Sequence, residues 1–248
     1  MKKFNYENKQ YLDKLNELSG TYYSKYIRYI KKYSSDNKSM ILDVGCGTGT
    51  VLQGLKNAGY KNGYGVDISK LFVKNARTKG LKNVFYYNGT RFPFKKNQFD
   101  IVASFNVLEH TDNPENFIKA QISILKSSGY IIVSCPNFLS VLFSNPHRKL
   151  RGIKNKTNNM LTIIRKILSP DLSFTKMKPL IRKKFEYDDD AIVVTNLLDL
   201  KNVLSSNNCK IVYESGFINY DKALYRAVNR IPLLKYMLPS CFIVAKKQ

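Results

Sequence analysis

The sequence predicts an α/β protein built on a doubly wound, mostly parallel sheet. Between about residues 40 and 136, short apolar segments alternate with amphipathic ones, which is the pattern of strands joined by crossover helices. The first apolar segment runs into a cluster of glycines, as a strand does where it leads into a ligand-binding turn. Right-handed crossovers would place the helices on both faces of the sheet, giving a Rossmann-like fold.

Each element of this core follows from apolar spacing and from glycine and proline positions. The first two strand–helix pairs are expected at Met40–Val44 with Thr50–Ala58, and at Gly63–Val66 with Leu71–Lys79. Continuous or near-continuous apolar runs predict further buried strands. These strands are Val84–Tyr87, Phe99–Phe105 and Tyr130–Ser134, with a helix at Pro114–Leu125; later come a helix ending at Leu200–Ser205 and strands at Lys210–Glu214 and Cys241–Ala245.

Three regions are expected along the chain. Residues 1–38 read as an N-terminal helical cap rich in tyrosine, and residues 39–248 as the main domain. Residues 137–186 interrupt the alternation and are interpreted as a basic insertion, or lid, beside the sheet. The tyrosines have two open roles: they pack a helix on the sheet, or they cover a bound ligand.

The charge is strongly basic and unevenly placed. The net charge is +23, and residues 137–186 carry twelve Lys and Arg against two Asp and Glu. Such a segment suits nucleic acid, anionic lipid or a phosphorylated substrate. A lysine-rich composition that merely keeps the surface solvated is the alternative, and the sequence leaves the two open.

The sequence shows no recognisable targeting signal, and a cytoplasmic location is expected. The N-terminus lacks the apolar core of a signal peptide, and no apolar run reaches the roughly 20 residues of a membrane span. The basic and apolar stretch 161–168 (LTIIRKIL) suits peripheral contact with an anionic inner membrane surface. A lid helix packed on the core is the other interpretation.

No metal site is expected. The four cysteines are far apart, none forms a C-x-x-C pair, and the chain has two histidines. These numbers favour neither a zinc site nor a disulfide framework.

The glycine cluster carries the strongest functional signal. Residues 41–49 read ILDVGCGTG, and Asp67 closes the next predicted strand 22 residues after Gly45. Glycines let the backbone turn tightly and approach a ligand, the following helix offers free N–H groups, and the acid can bind both ribose hydroxyls. The spacing is G-x-G-x-G rather than the G-x-G-x-x-G of dinucleotide sites, which disfavours a dehydrogenase.

These residues resemble motif I of the class I S-adenosylmethionine methyltransferases. The resemblance extends over about residues 38–137 and includes Phe99–Val102 (FDIV), Asn106–His110 (NVLEH) and the strand ending in Cys135-Pro136-Asn137. The NVLEH loop is similar to that of a branch that includes quinone-biosynthesis methyltransferases. The resemblance also implies an antiparallel C-terminal strand and S-adenosylmethionine as cofactor.

The resemblance implies a set of cofactor contacts. Asp43 would support the amino end of the methionine moiety, and Asn88 stands where the family often has the aspartate that binds adenine. The predicted cofactor-binding residues are Asp43, Gly45, Cys46, Gly47, Gly49, Asp67, Ile68, Asn88, Gly89, Thr90, Asn106 and Val107.

A general base is expected at His110, with Glu109 as the weaker candidate. Methyl transfer from a sulfonium depends mostly on alignment of the reactants, and a base is needed when the acceptor is a hydroxyl or an acidic carbon. His110 has a suitable unperturbed pKa, and its alternative role is to fix the loop by hydrogen bonding.

The expected reaction is methylation of a small or medium-sized acceptor at oxygen or carbon. The basic segment suggests an anionic, lipid-linked or sugar intermediate. RNA methylation stays open because of the charge, although the NVLEH loop differs from the signature associated with nucleobase amino groups. A protein that binds the cofactor without catalysis is a third hypothesis, and the sequence does not indicate an oligomeric state.

Overall fold

The computed structural model describes residues 5–17, 20–142, 153–171, 174–180, 188–217 and 223–248. The chain divides into two compact units. The first comprises Met1–Phe105, Ala120–Ile132 and Lys247; the second comprises Asn106–Lys119, Val133–Lys246 and Gln248.

The first unit holds the strand–helix alternation predicted from the sequence. Its helices are α1 (Lys9–Glu17), α2 (Gly20–Tyr33), α3 (Thr50–Asn57) and α4 (Lys70–Thr78). Its strands are β1 (Ile41–Val44), β2 (Gly63–Asp67), β3 (Val84–Tyr86) and β4 (Phe99–Phe105).

The burial of β1 agrees with its parallel pairing to two neighbouring strands. All four residues of β1 are buried, as expected for a strand flanked on both sides and covered on both faces. Ile41 pairs with Gly63 of β2 and with Ile101 of β4, both in parallel register. The four strands therefore end at one edge of the sheet, and their carboxyl-terminal loops share that edge.

Helix α5 (Pro114–Ile124) leads directly into β5 (Leu125–Pro136). The helix ends within one residue of the predicted Leu125, but the strand begins at Leu125, five residues before the predicted Tyr130. Lys247 supplies a reason, because its Nζ donates to the carbonyl oxygens of Ile122 at 2.9 Å and Leu125 at 2.7 Å. A cation near the last carbonyls of a helix satisfies acceptors that have no partner within the helix.

The second unit contains the remaining elements. They are α6 (Ile153–Leu168), α7 (Leu197–Ser205), β6 (Cys209–Ser215), α8 (Ala223–Arg230) and β7 (Ser240–Lys247), with 3₁₀ turns at Leu108–His110 and Leu234–Met237. One apolar cluster packs α6 and α7 against the second of these turns. Its buried members are Leu139, Ile163, Leu198 and Met237.

Within the described residues the sheet has seven strands in the order β3-β2-β1-β4-β5-β7-β6. It is mostly parallel with one antiparallel strand, which confirms the predicted Rossmann-like architecture. The order reverses between β1 and β4, and open α/β sheets bind ligands at this switch point. The glycine cluster follows β1 and so lies there.

Two sequence expectations remain predictions. The helical cap 1–38 and the domain 39–248 stand as proposed divisions. Of the predicted lid 137–186, residues 143–152, 172–173 and 181–186 lie outside the described part of the chain. No helix among the described residues is long and apolar enough to cross a membrane.

Candidate cofactor site and carboxylate–histidine cluster

The loop after β1 is held against the end of β2 by its own backbone. The N–H groups of Gly45 and Cys46 donate to the carbonyl oxygen of Val66 at 2.8 and 3.1 Å. Gly45, Gly47 and Gly49 have φ angles of +74°, +54° and +80°. Residues other than glycine rarely adopt this backbone conformation. The three glycines of the motif therefore each meet a conformational demand.

Gly49 also meets a steric demand. A Cβ atom at this position would lie 2.3 Å from Leu81 Cδ1 and 3.3 Å from Ala76 Cβ. The third glycine is thus required for packing next to the C-terminal end of α4, whereas a Cβ at Gly47 would meet Leu15 Cδ1 at an ordinary 3.5 Å.

Asp67 ends β2 with its carboxylate turned toward the glycine loop. Its Oδ2 accepts from the Gly47 N–H at 2.8 Å, and its Oδ1 accepts from the Ser69 N–H at 2.9 Å. Ser69, rather than Asp67, is the N-cap of α4, because its hydroxyl accepts from the Phe72 N–H. Each carboxylate oxygen keeps a further lone pair, so this side chain can still accept from a ribose.

Burial raises the pKa of both acids of the site, Asp67 and Asp43. It raises the pKa of Asp67 to about 6, against the opposing effect of backbone donors that include Ser69 and Gly47. Burial, with the neighbouring Asp67, raises the pKa of Asp43 to about 7. A cationic amino group bound beside Asp43 would favour its ionised form.

The amino end of α3 offers donors for a carboxylate. Its N-cap is Gly49, and no side chain among the described residues caps it. The free N–H groups of a first turn, with the positive end of the helix dipole, form an anion site. The arrangement fits the carboxylate of a methionine moiety, with an acid at Asp43 and a ribose acceptor at Asp67.

The N-terminal segment lies over this loop, a contact that sequence patterns did not reveal. Lys79 Nζ donates to Asn16 Oδ1 at 2.8 Å and to the carbonyl oxygen of Thr48 at 3.3 Å. Leu15 Cδ1 lies 3.5 Å from the position that a Cβ of Gly47 would take. Helix α1 is therefore tied to the glycine loop by one lysine and one apolar contact.

The tyrosine-rich helix α2 packs on the sheet at one clear position. Tyr26 is fully buried, and its ring stacks on that of Phe105 in β4 with centroids 4.1 Å apart. For Tyr26, packing rather than ligand cover is the role that the structure shows.

The loop after β3 closes on itself. The side-chain oxygen of Asn88 accepts from the N–H and the hydroxyl of Thr90, at 3.1 and 2.7 Å. Gly89 has a φ of +84°, and a Cβ there would lie 3.8 Å from the Ile68 side chain. Ile68 is 43% exposed, so an apolar surface suited to a purine face lies beside Asp67.

Asn106 and Val107 follow β4 and belong to the second unit. Asn106 has a φ of +56°, a region in which asparagine is enriched, and its N–H donates to the Ser134 carbonyl at 2.8 Å. Val107 is the N-cap of the Leu108–His110 turn. Their predicted cofactor contacts stay predictions.

The two predicted catalytic residues lie in an acidic cluster of the second unit. Glu109 is fully buried, and its carbonyl oxygen accepts from the N–H groups of Ile192 and Val193 at 2.9 and 3.1 Å. This anchors the turn to the segment that follows residue 188. His110 Nδ1 lies 3.3 Å from Asp190 Oδ2, and its Nε2 lies 3.7 Å from Glu109 Oε1.

Glu109 and Asp190 have different surroundings in this cluster, and their roles differ accordingly. Burial raises the pKa of Glu109 well above its usual range, and the nearby Cys135 and Asp188 raise it further. This shift favours the protonated form of Glu109, whereas Asp190 lies beside the imidazole, where it can stabilise a positive charge.

Three side chains of this cluster also form a candidate set of metal ligands. Glu109, His110 and Asp188 each offer one ligand atom, and these atoms lie within 4.8 Å of one another. The sequence predicts no metal site, because its cysteines and histidines lack the spacing of metal ligands. A carboxylate 78 positions after His110 carries no signal of that kind.

The fold, the glycine loop and the acid at the end of β2 are together similar to those of the class I S-adenosylmethionine methyltransferases. Residues 42–133 match the sequence profile of a methyltransferase domain, so this part of the chain is similar to that family. The cofactor of the family is S-adenosylmethionine.

Part of the chain is similar in sequence to proteins of other organisms. The chain is 30% identical over 119 residues to a ubiquinone biosynthesis O-methyltransferase of Bordetella avium, covering 46% of each protein. It is 32% identical over 170 residues to an uncharacterised protein of Methanocaldococcus jannaschii, covering 67% of this chain and 61% of that one. The chain spans between about half and two thirds of the length of such relatives.

Solved structures support the fold. A SAM-dependent methyltransferase from Aquifex aeolicus superposes with a TM-score of 0.59 at 14% identity, over 97% of this chain and 99% of that one. Magnesium protoporphyrin IX methyltransferase from Synechocystis, solved with bound SAH, gives 0.52 at 16% identity, over 92% and 83%.

Proposed function

We propose that the protein transfers a methyl group from S-adenosylmethionine to oxygen or carbon of a small or medium-sized anionic acceptor. The observation that carries this proposal is the glycine loop bonded to Asp67 at the switch point of the sheet. The O-methyltransferase relative supports the chemistry, and the basic residues of 137–186 support an anionic acceptor, such as a phosphorylated, lipid-linked or sugar intermediate.

The first unit would hold the cofactor. Asp67 accepts from the ribose hydroxyls, Asp43 faces the amino group, and the free N–H groups at the start of α3 bind the carboxylate. Ile68, Asn88, Gly89 and Thr90 would contact the adenine. The bound cofactor supplies an electrophilic methyl group on a good leaving group, so alignment provides most of the catalysis.

For an acceptor that must lose a proton, we assign the base to His110. Asp190 lies beside Nδ1, and a proton on that nitrogen leaves the Nε2 lone pair to accept one. The raised pKa of Glu109 favours its protonated form, which cannot take a proton from the acceptor. General base catalysis contributes about 10²–10⁴-fold in rate.

Transfer of labelled methyl into a fractionated cell extract, followed by mass analysis of the product, tests this function. Labelled small-molecule product is the expected result, with a His110→Ala variant at least about 100-fold slower and an Asp112→Asn control unchanged. Label recovered in RNA would replace the small acceptor with a nucleic acid. Tight cofactor binding without any labelled product would reduce the protein to a binding module.

A further inference from the structure

Helix α6 has one broad apolar face, and the packed part of the helix fixes its orientation. Ile163 is buried in the cluster with Leu139, Leu198 and Met237. Lys166 is 7% exposed, and its Nζ lies 2.8 Å from Asp199 Oδ1 and 2.8 Å from Asp171 Oδ1. An apolar contact at Ile163 and an ion pair at Lys166 therefore hold this side of α6 against the protein.

The other side of α6 presents a stripe of large apolar side chains to solvent. Leu161, Ile164 and Leu168 are 60%, 44% and 80% exposed. At about 100° per residue, positions 161, 164 and 168 fall within about 60° of arc, whose centre lies about 130° from Ile163 and about 170° from Lys166. We call these three residues the outer stripe. Exposed apolar groups aligned in this way mark an interaction surface rather than scattered surface residues.

The helix that carries the outer stripe is basic. Arg165 is exposed and lies beside Leu161 on the helical projection, and α6 contains no Asp or Glu. The helix itself carries four basic residues, Lys154, Lys156, Arg165 and Lys166. The partner must therefore combine negative charge with an apolar layer.

We propose that α6 docks the protein on an anionic lipid surface, with the outer stripe entering the boundary between headgroups and acyl chains. A helix with a basic polar side and leucine or isoleucine on the other lies in this plane. Nucleic acid would satisfy the lysines and arginines, but it offers no apolar layer to Leu161 or Leu168. The proposal rests on this surface alone and stands whether or not methyl transfer is shown.

Flotation of the full chain with vesicles tests the docking. We expect binding to vesicles of phosphatidylglycerol and phosphatidylcholine (1:1), little binding to phosphatidylcholine alone, and weakening by salt. The double variant L161Q/L168Q keeps good helix formers and should bind at least about tenfold more weakly. The control Val212→Thr alters an apolar side chain on β6 that is 40% exposed and should bind like the wild type.

A second readout does not depend on how the double variant folds. The four native cysteines are free and buried, so a polarity-sensitive dye on a Leu168→Cys variant reports this position. Its emission should shift to the blue with phosphatidylglycerol vesicles and not with phosphatidylcholine. Wild-type protein that does not float with anionic vesicles, or L161Q/L168Q that floats as well as wild type, would overturn the proposal. So would an unshifted dye, or vesicle binding that RNA displaces completely.

Discussion

At the scale of single residues, Gly49 and Gly59 form a matched pair. Both have a left-handed backbone, with φ of +80° and +88°, but a Cβ at Gly49 would lie 2.3 Å from Leu81 Cδ1 whereas one at Gly59 meets nothing within 4 Å. Gly59→Ala should cost about 1–2 kcal/mol of unfolding free energy from backbone strain alone. Gly49→Ala adds overpacking and should cost at least about 3 kcal/mol.

Urea denaturation of both variants measures this difference. Equal losses for Gly49→Ala and Gly59→Ala would mean that the third glycine serves backbone conformation only and that the loop does not need close packing on Leu81.

The buried acid Asp43 makes stability depend on pH. Its pKa is raised from 3.8 to about 7 in the folded protein, so the folded state binds a proton that the unfolded state has lost between these two values. Its contribution is fully present below about pH 4 and is lost as pH rises toward 7. Asp43→Asn should therefore become progressively more stable relative to wild type across this window.

Chemical denaturation of wild type and Asp43→Asn at several pH values, both without cofactor, checks this. A stability difference that stays constant from pH 4 to pH 8 would show that the carboxyl has no raised pKa. Conversely, bound S-adenosylmethionine should reduce the difference, because its amino group favours the ionised acid.

At the scale of elements, the N-terminal segment caps a helix far along the chain. The carboxylate of Glu7 accepts from the N–H groups of Lys70 and Leu71 at 2.6 and 3.0 Å, at the start of α4. Glu7→Ala should cost about 1 kcal/mol of unfolding free energy. Because α1 follows Glu7 directly and covers the glycine loop, the variant should also increase hydrogen exchange in α1.

Glu17→Ala is the matched control, since this exposed acid lies at the other end of α1. Hydrogen exchange in α1 that is the same in Glu7→Ala as in wild type would show that the Glu7 cap on α4 does not hold α1 over the glycine loop.

The elements also show where sequence patterns succeed. Strand β4 was predicted with its observed ends because its apolar run is bounded by polar residues. Strand β5 begins at Leu125 instead of Tyr130, since Lys247 supports the end of α5 from 122 residues away in sequence, and no local pattern carries that information.

At the scale of the whole molecule, long-range contacts limit the sequence prediction in the same way. The glycine loop and Asp67 were predictable because their chemistry requires fixed spacing. The approach of Asp188 and Asp190 to His110 was not, because it depends on a segment about 80 residues later that has neither strand nor helix periodicity. Similarly, the stretch 161–168 was predicted to lie either on the core or on a membrane, and in α6 Ile163 is buried whereas Leu161, Ile164 and Leu168 are exposed.

The central claim is that the glycine loop and Asp67 bind S-adenosylmethionine, and calorimetric titration tests it most directly. Wild type should bind S-adenosylmethionine and its demethylated product at one site. Loss of hydrogen bonds to two ribose hydroxyls should weaken binding by Asp67→Ala about 100-fold. The control Asp36→Ala, at an exposed turn, should bind like wild type. Absence of binding by the wild type, or unchanged binding by a folded Asp67→Ala variant, would contradict the claim.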